Sequence, residues 1–85
     1  MSYLRWGEVL PSGKRSNSYV FGDPDSLINM DNGNSLPYGE LRKLLNGKNK
    51  DKIKKSIEDG LDLHGEELGV VCERLFSERE EGKWG

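Results

Sequence analysis

The chain reads as a small α+β domain: a short antiparallel meander of two to three strands, followed by three helices packed on one face. Three observations predict this. Short runs of strand-forming residues separated by turn-rich tetrapeptides occupy the first third of the chain. From about residue 36 the apolar residues recur at helical spacing instead. No internal repeat or low-complexity linker divides the 85 residues, so one domain with segregated strands and helices is the economical arrangement.

The first strand is expected over residues 3–10, where Leu4, Trp6 and Leu10 alternate with Arg5 and Glu8 and Gly7 marks a bulge. Pro11-Ser12-Gly13-Lys14-Arg15-Ser16 is a turn or loop. Residues 18–22 form the second strand, with Tyr19 and Phe21 on one face and Val20 on the other. Residues 26–30 form the third, weakened by Ser26 and Asn29 and ended by Asp31-Asn32-Gly33-Asn34. Ser35 is the expected N-cap of a helix over 36–46, with Pro37 in its first turn and Leu41, Leu44 and Leu45 as its buried stripe. Asn49 caps a second helix over 50–59, stopped at Gly60, whose thin stripe is Ile53, Ile57 and then Leu61.

The third helix, 65–81, carries the clearest pattern. Leu68, Val71, Cys72, Leu75 and Phe76 follow i, i+3, i+4, i+7, i+8 spacing, with glutamates and arginines opposite. Leu63 and Leu68 bracket His64 as a hydrophobic staple, and Glu67 stands where a capping box needs it; Asp62 is the rival cap. Residues 82–85 are expected to fray, except that Trp84 needs something to pack on.

Composition narrows function mostly by exclusion. Apolar and charged residues each make up 33% of the chain and mean hydropathy is -0.80. The core is therefore minimal, and a deep enzyme cleft is hard to carve from it. A single cysteine rules out an internal disulfide and any multi-cysteine metal site. With no apolar run long enough for a signal peptide or a span, the expected location is the cytoplasm and no membrane is expected as a partner.

No catalytic, cofactor-binding or metal-binding set emerges, and the chain reads as a non-enzyme. His64 and Cys72 lie about two helical turns apart, roughly 12 Å of rise, too far to pair. Cys72 falls in the apolar stripe, where a cysteine acts as a small hydrophobe. Gly7 and Gly13-Lys14 do not make a phosphate loop: the glycine spacing is wrong, Arg15 replaces the hydroxyl, and no helix follows. Asp23, Asp25, Asp31, Asn29 and Asn32 are oxygen-rich, but Pro24 and Leu27-Ile28 break a calcium-loop register, so turn formation is their expected role.

Two surfaces remain as candidates for binding. Charge is segregated: residues 42–57 hold seven Lys/Arg against one acid, and residues 58–85 three against nine. Arg42, Lys43, Lys48, Lys50, Lys52, Lys54 and Lys55 would contact nucleic-acid phosphates; the competing reading is neutralisation by an adjacent acidic helix. The aromatics are the other surface. Tyr3, Arg5, Tyr19 and Trp84 are the candidate protein interface, with Tyr3, Arg5 and Tyr19 on a sheet face open to a partner while helices cover the Leu4/Trp6/Val20 side. A protein partner, including a second copy of the chain, is expected ahead of nucleic acid.

The segments Ser2-Tyr3-Leu4-Arg5-Trp6-Gly7 and Ser18-Tyr19-Val20-Phe21-Gly22 resemble the start of small phage and prophage proteins, in which a Tyr-x-Arg-Trp segment precedes a Tyr-Val-Tyr type strand. The likeness is confined to residues 2–22, and a Pro-Ser-Gly-Lys-Arg insertion interrupts it. It implies a phage or mobile-element accessory protein that binds a host or defence complex stoichiometrically, and it transfers no functional residue.

Overall fold

A computed structural model describes residues 2–84. Four antiparallel strands in the order β1-β2-β3-β4 (Ser2–Leu4, Val20–Gly22, Ser26–Asn29, Ser35–Pro37) precede α1 (Tyr38–Leu45), α2 (Lys50–Leu61) and α3 (Gly65–Glu80). The meander has one strand more than the sequence pattern predicts. Ser35 and Pro37 are not the cap and first turn of a helix: Leu27 pairs with Leu36 and Ile28 with Ser35, so they belong to β4, and α1 begins only at Tyr38. A single buried leucine between two exposed residues is too short a pattern to announce a strand.

The first strand stops early, at Leu4. Arg5 to Glu8 form a tight turn, closed by the Glu8 N–H donating to the Arg5 carbonyl at 3.0 Å, with Gly7 at φ 79 in its third position. Trp6, at the tip of that turn, is thrown out of the sheet and stands 71% exposed, not in the core beside Leu4. The first hairpin follows, over residues 9–15. Its tip is a three-residue loop whose glycine, Gly13 at φ 91, supplies the left-handed residue such a loop requires; Leu10 and Lys14 pair across it. Glu66, in the first turn of α3, clamps this tip by accepting from the Ser12 N–H at 2.8 Å and the Ser12 hydroxyl at 2.6 Å.

Register places every buried strand residue on one face. Leu4, Val20, Leu27, Asn29 and Leu36 turn toward the helices. A register shift in β1 sets two of its residues against one step of β2, and Tyr3 is buried as well as Leu4. The helices complete the core with Leu41, Leu45, Ile53, Ile57, Leu61, Leu68, Val71 and Leu75.

The helix ends follow local chemistry. Asn49 caps α2 as its sequence predicts, its side-chain oxygen accepting from the N–H groups of Asp51 and Lys52. α2 runs one residue past Gly60 and stops where Asp62 takes a left-handed φ of 49. His64 is the N-cap of α3 but makes no side-chain cap bond, and Glu67 accepts from the Asn17 N–H instead of closing a capping box. At the other end of α3, Gly82 (φ 83) donates to the Arg79 carbonyl and Lys83 to that of Glu78, a Schellman motif. That reversal folds Trp84 back onto the domain; residues 82–84 form an ordered turn instead of a frayed tail, and Gly85 lies outside the described residues.

Candidate interaction face

The face of the sheet turned away from the helices is the first candidate surface. Strand alternation sends Phe21 and Ile28 outward, and these two are cross-strand partners. One step along, the Met30 N–H donates to the Tyr19 carbonyl at 2.8 Å, so Tyr19 and Met30 pair in the next outward row. Tyr19 and Phe21 stack with ring centroids 6.4 Å apart. Tyr19, Phe21, Ile28 and Met30 thus form a two-by-two apolar quartet, half-buried by one another except for Met30, which is 55% exposed. Ser26, Ser35 and Pro37 surround it on the strands, and none of these seven residues is charged. In a chain one-third charged, that is a sharp local departure.

Of the four predicted interface residues, only Tyr19 belongs to this quartet. Arg5 is exposed just beyond β1, and its charge helps hold the Glu8 carboxyl below its usual range, after the larger effect of the Arg74 hydrogen bond. Tyr3 and Trp84 are buried on the opposite side, each 7% exposed. Their polar ends converge on one carboxylate oxygen: Glu78 Oε2 accepts from Tyr3 Oη at 3.1 Å and from Trp84 Nε1 at 3.0 Å, while Tyr38 meets the Trp84 ring edge-on at 5.4 Å. Burial and then the Glu78 charge push the Tyr3 phenol well above its usual range, so it stays a donor at neutral pH. These contacts tie β1 to the turn after α3, and the same residues line a shallow groove with Arg42 and Lys83.

The sequence places Phe21 with Tyr19 on one strand face but gives no sign that Ile28 and Met30 adjoin them; only register shows it. The signal was present in part, since the Tyr19/Phe21 alternation is legible in sequence.

The seven predicted cations are all exposed, but they do not share one side. Lys50 and Lys54, one turn apart, face α3: the Lys50 ammonium lies 5.3 Å from the Phe76 ring centre, and Lys54 lines a depression with Glu66, Cys72, Glu73 and Phe76. Lys52 and Lys55 point elsewhere around the helix, and Lys43 borders a separate groove between α1, α2 and β4. Among the described residues no ion pair joins a lysine of α2 to a glutamate of α3. The glutamates work elsewhere: Glu66 and Glu67 hold the first hairpin, and Glu78 holds Tyr3 and Trp84.

The isolated chemistry-bearing groups have local partners. Burial pushes the Cys72 thiol up to about 11, with Lys54 pulling weakly the other way, so it stays protonated and unreactive at neutral pH. Asn29 and Asn32 both donate to the Leu61 carbonyl at 3.0 Å, closing the C-terminus of α2, and Asp31 accepts from the Tyr19 N–H. Among the described residues no cluster of three or more His, Cys, Asp and Glu side chains is arranged to hold a metal.

His64 bridges two carboxylates, Asp62 at 2.8 Å and Glu58 at 3.4 Å, at an exposed helix junction. The Asp62 hydrogen bond, then that of Glu58, raises its pKa. Because the folded value lies above the unfolded one, the junction is favoured below the ordinary histidine pKa of about 6.5 and that contribution is lost as pH rises through the raised value. An NMR titration should place the His64 midpoint above 6.5, and the double variant Asp62→Asn/Glu58→Gln should bring it back down.

Comparison with protein families, with curated proteins and with solved structures finds no match to this chain.

Proposed function

We propose that this protein is a small non-enzymatic interaction module that docks on another protein through the outer face of its sheet. The single observation that carries the reading is the uncharged quartet Tyr19, Phe21, Ile28 and Met30, an apolar patch on which, among the described residues, no helix packs. A purely structural sheet face in so hydrophilic a chain would be expected to carry charges, as its helices do. Stoichiometric binding also fits what the resemblance of the opening segments to phage accessory proteins implies.

The test is capture from extracts of the source cells with tagged protein, run in parallel with a Phe21→Ser/Met30→Ser variant and a Lys52→Ala/Lys55→Ala variant. A protein retained by the wild type and the lysine variant but lost, at least tenfold, by the face variant supports the reading. Thermal melts must show both variants folded. No face-dependent partner, or a partner lost only with the lysines, overturns it; the second result would move the function to the basic helix and to nucleic acid or an acidic protein.

A further inference from the structure

We infer, on the footing of that reading, that the outer sheet face takes a protein segment that combines apolar with cationic side chains, and that it takes neither an added strand nor a second copy of itself. Strand addition is opposed at both edges. Along β4, Asn34 and Tyr38 bond toward β3, which turns Ser35 and Pro37 outward, and Pro37 has no N–H to offer. At β1, the guanidinium of Arg74 donates to the Tyr3 carbonyl at 2.6 Å and covers the irregular edge. No helix among the described residues packs on the face.

Its rim selects the partner's charge. Between Ser16 and Leu41 the chain contains no lysine or arginine, and its acids there include Asp23, Asp25 and Asp31. Asp23 and Asp25 sit in the β2–β3 turn and Asp31 follows Met30, so carboxylates flank the quartet at both ends of the strands. None of the three is in an ion pair among the described residues. Face-to-face packing of two copies would bring these rims together well within the Debye length of about 8 Å, which penalises self-association. A partner with lysines or arginines meets the carboxylates instead, and a cation that reaches the stacked Tyr19 and Phe21 rings gains from their faces.

The footprint sets the strength. Four strands about 4.8 Å apart and three or four residues long span roughly 250 Å². That is far below the ~800 Å² per partner of a stable complex, so the contact is weak, and its exposed carboxylate rim makes it salt-dependent.

The experiment titrates an eight-residue peptide alternating valine and lysine into the ¹⁵N-labelled full-length chain, with a valine–glutamate peptide as control and sedimentation velocity alongside. The lysine peptide should shift amides within residues 19–31, lose about tenfold in affinity between 50 and 300 mM salt, and bind about tenfold more weakly to Asp23→Asn/Asp25→Asn/Asp31→Asn. The inference is overturned if neither peptide shifts the face, if shifts map to the acidic α3, if the glutamate peptide binds equally, or if the chain dimerises through the quartet. If the glutamate peptide does seat on the face, or the face-dependent partner found by capture proves acidic, this inference fails while the docking function stands; loss of all face-dependent capture removes the function itself.

Discussion

Replacing Leu75 by alanine is expected to remove about 2–5 kcal/mol of stability, a large part of the roughly 4–13 kcal/mol available to a domain of 85 residues. Leu75 is fully buried where α3 meets the rest of the core, and its truncation leaves a cavity that the flanking elements cannot close without moving the sheet. The midpoint of thermal unfolding should fall by about 10–30 °C. Phe76, its neighbour in the same apolar stripe, should behave differently. It is only half-buried, with Lys50 on one side and Arg79, 5.2 Å from the ring centre, also stacked against it. Its replacement by alanine should cost about 1–2 kcal/mol. Circular-dichroism melts of the two variants check the order; equal losses would mean that the stripe is buried uniformly and that the packing described here is wrong.

The second large effect is expected at Asn29, a polar residue 2% exposed at the end of β3 on the core face. Its side-chain N–H donates to the Leu61 carbonyl at 3.0 Å and its oxygen accepts from the Asp31 N–H at 3.1 Å, so one side chain joins the end of α2 to the β3–β4 turn. Asn29→Leu orphans the Asp31 N–H and leaves the Leu61 carbonyl to Asn32 alone, for a cost of about 2–3 kcal/mol. Asn29→Asp separates shape from chemistry. A carboxylate there cannot donate and would face the Leu61 carbonyl with like polarity, which raises its folded pKa above the unfolded value of about 3.9. The deficit of that variant should be smallest below pH 3.9 and complete once pH exceeds the raised value. Urea melts at pH 3.5 and pH 7 read this directly, and a deficit independent of pH would show that the hydrogen bond to Leu61 carries no weight.

Much of the helical half was legible because α2 and α3 announce themselves locally, whereas the start of α1 did not. Two neighbouring features decide α2, the Asn49 cap and the Ile53/Ile57/Leu61 spacing, while its end lies not at Gly60 but at Asp62, whose left-handed backbone stops it. Such signals depend on residues within one or two turns of each other, and tertiary contacts only confirm them. α3 was equally readable, though Val70 is buried where Phe76 was expected to be, a rotation of the stripe set by how the helix meets β1 and the first hairpin. The strand half was legible only coarsely. A three-residue strand has no periodicity to detect, and β4 looks like a helix start because serine and proline suit both roles.

The candidate site was less legible still. Tyr3 and Trp84 read as interface anchors because tyrosine and tryptophan are the residues that most often anchor interfaces, yet a bulge in one case and a glycine reversal in the other turn them inward onto Glu78. Trp6 looked like core and is exposed, because one tight turn interrupts the alternation that would have buried it.

By itself the sequence determined the α+β class, the three helices with their buried stripes, the inertness of Cys72 as a core residue, and the separation of basic from acidic segments. These follow from periodicity, composition and capping, which are properties of neighbours along the chain. Only the tertiary structure decided which aromatics are covered, that the lysines of α2 divide between two directions, and that Tyr19, Phe21, Ile28 and Met30 make one patch. Those are properties of register and of helix rotation, where a one-residue shift moves a side chain to the opposite face.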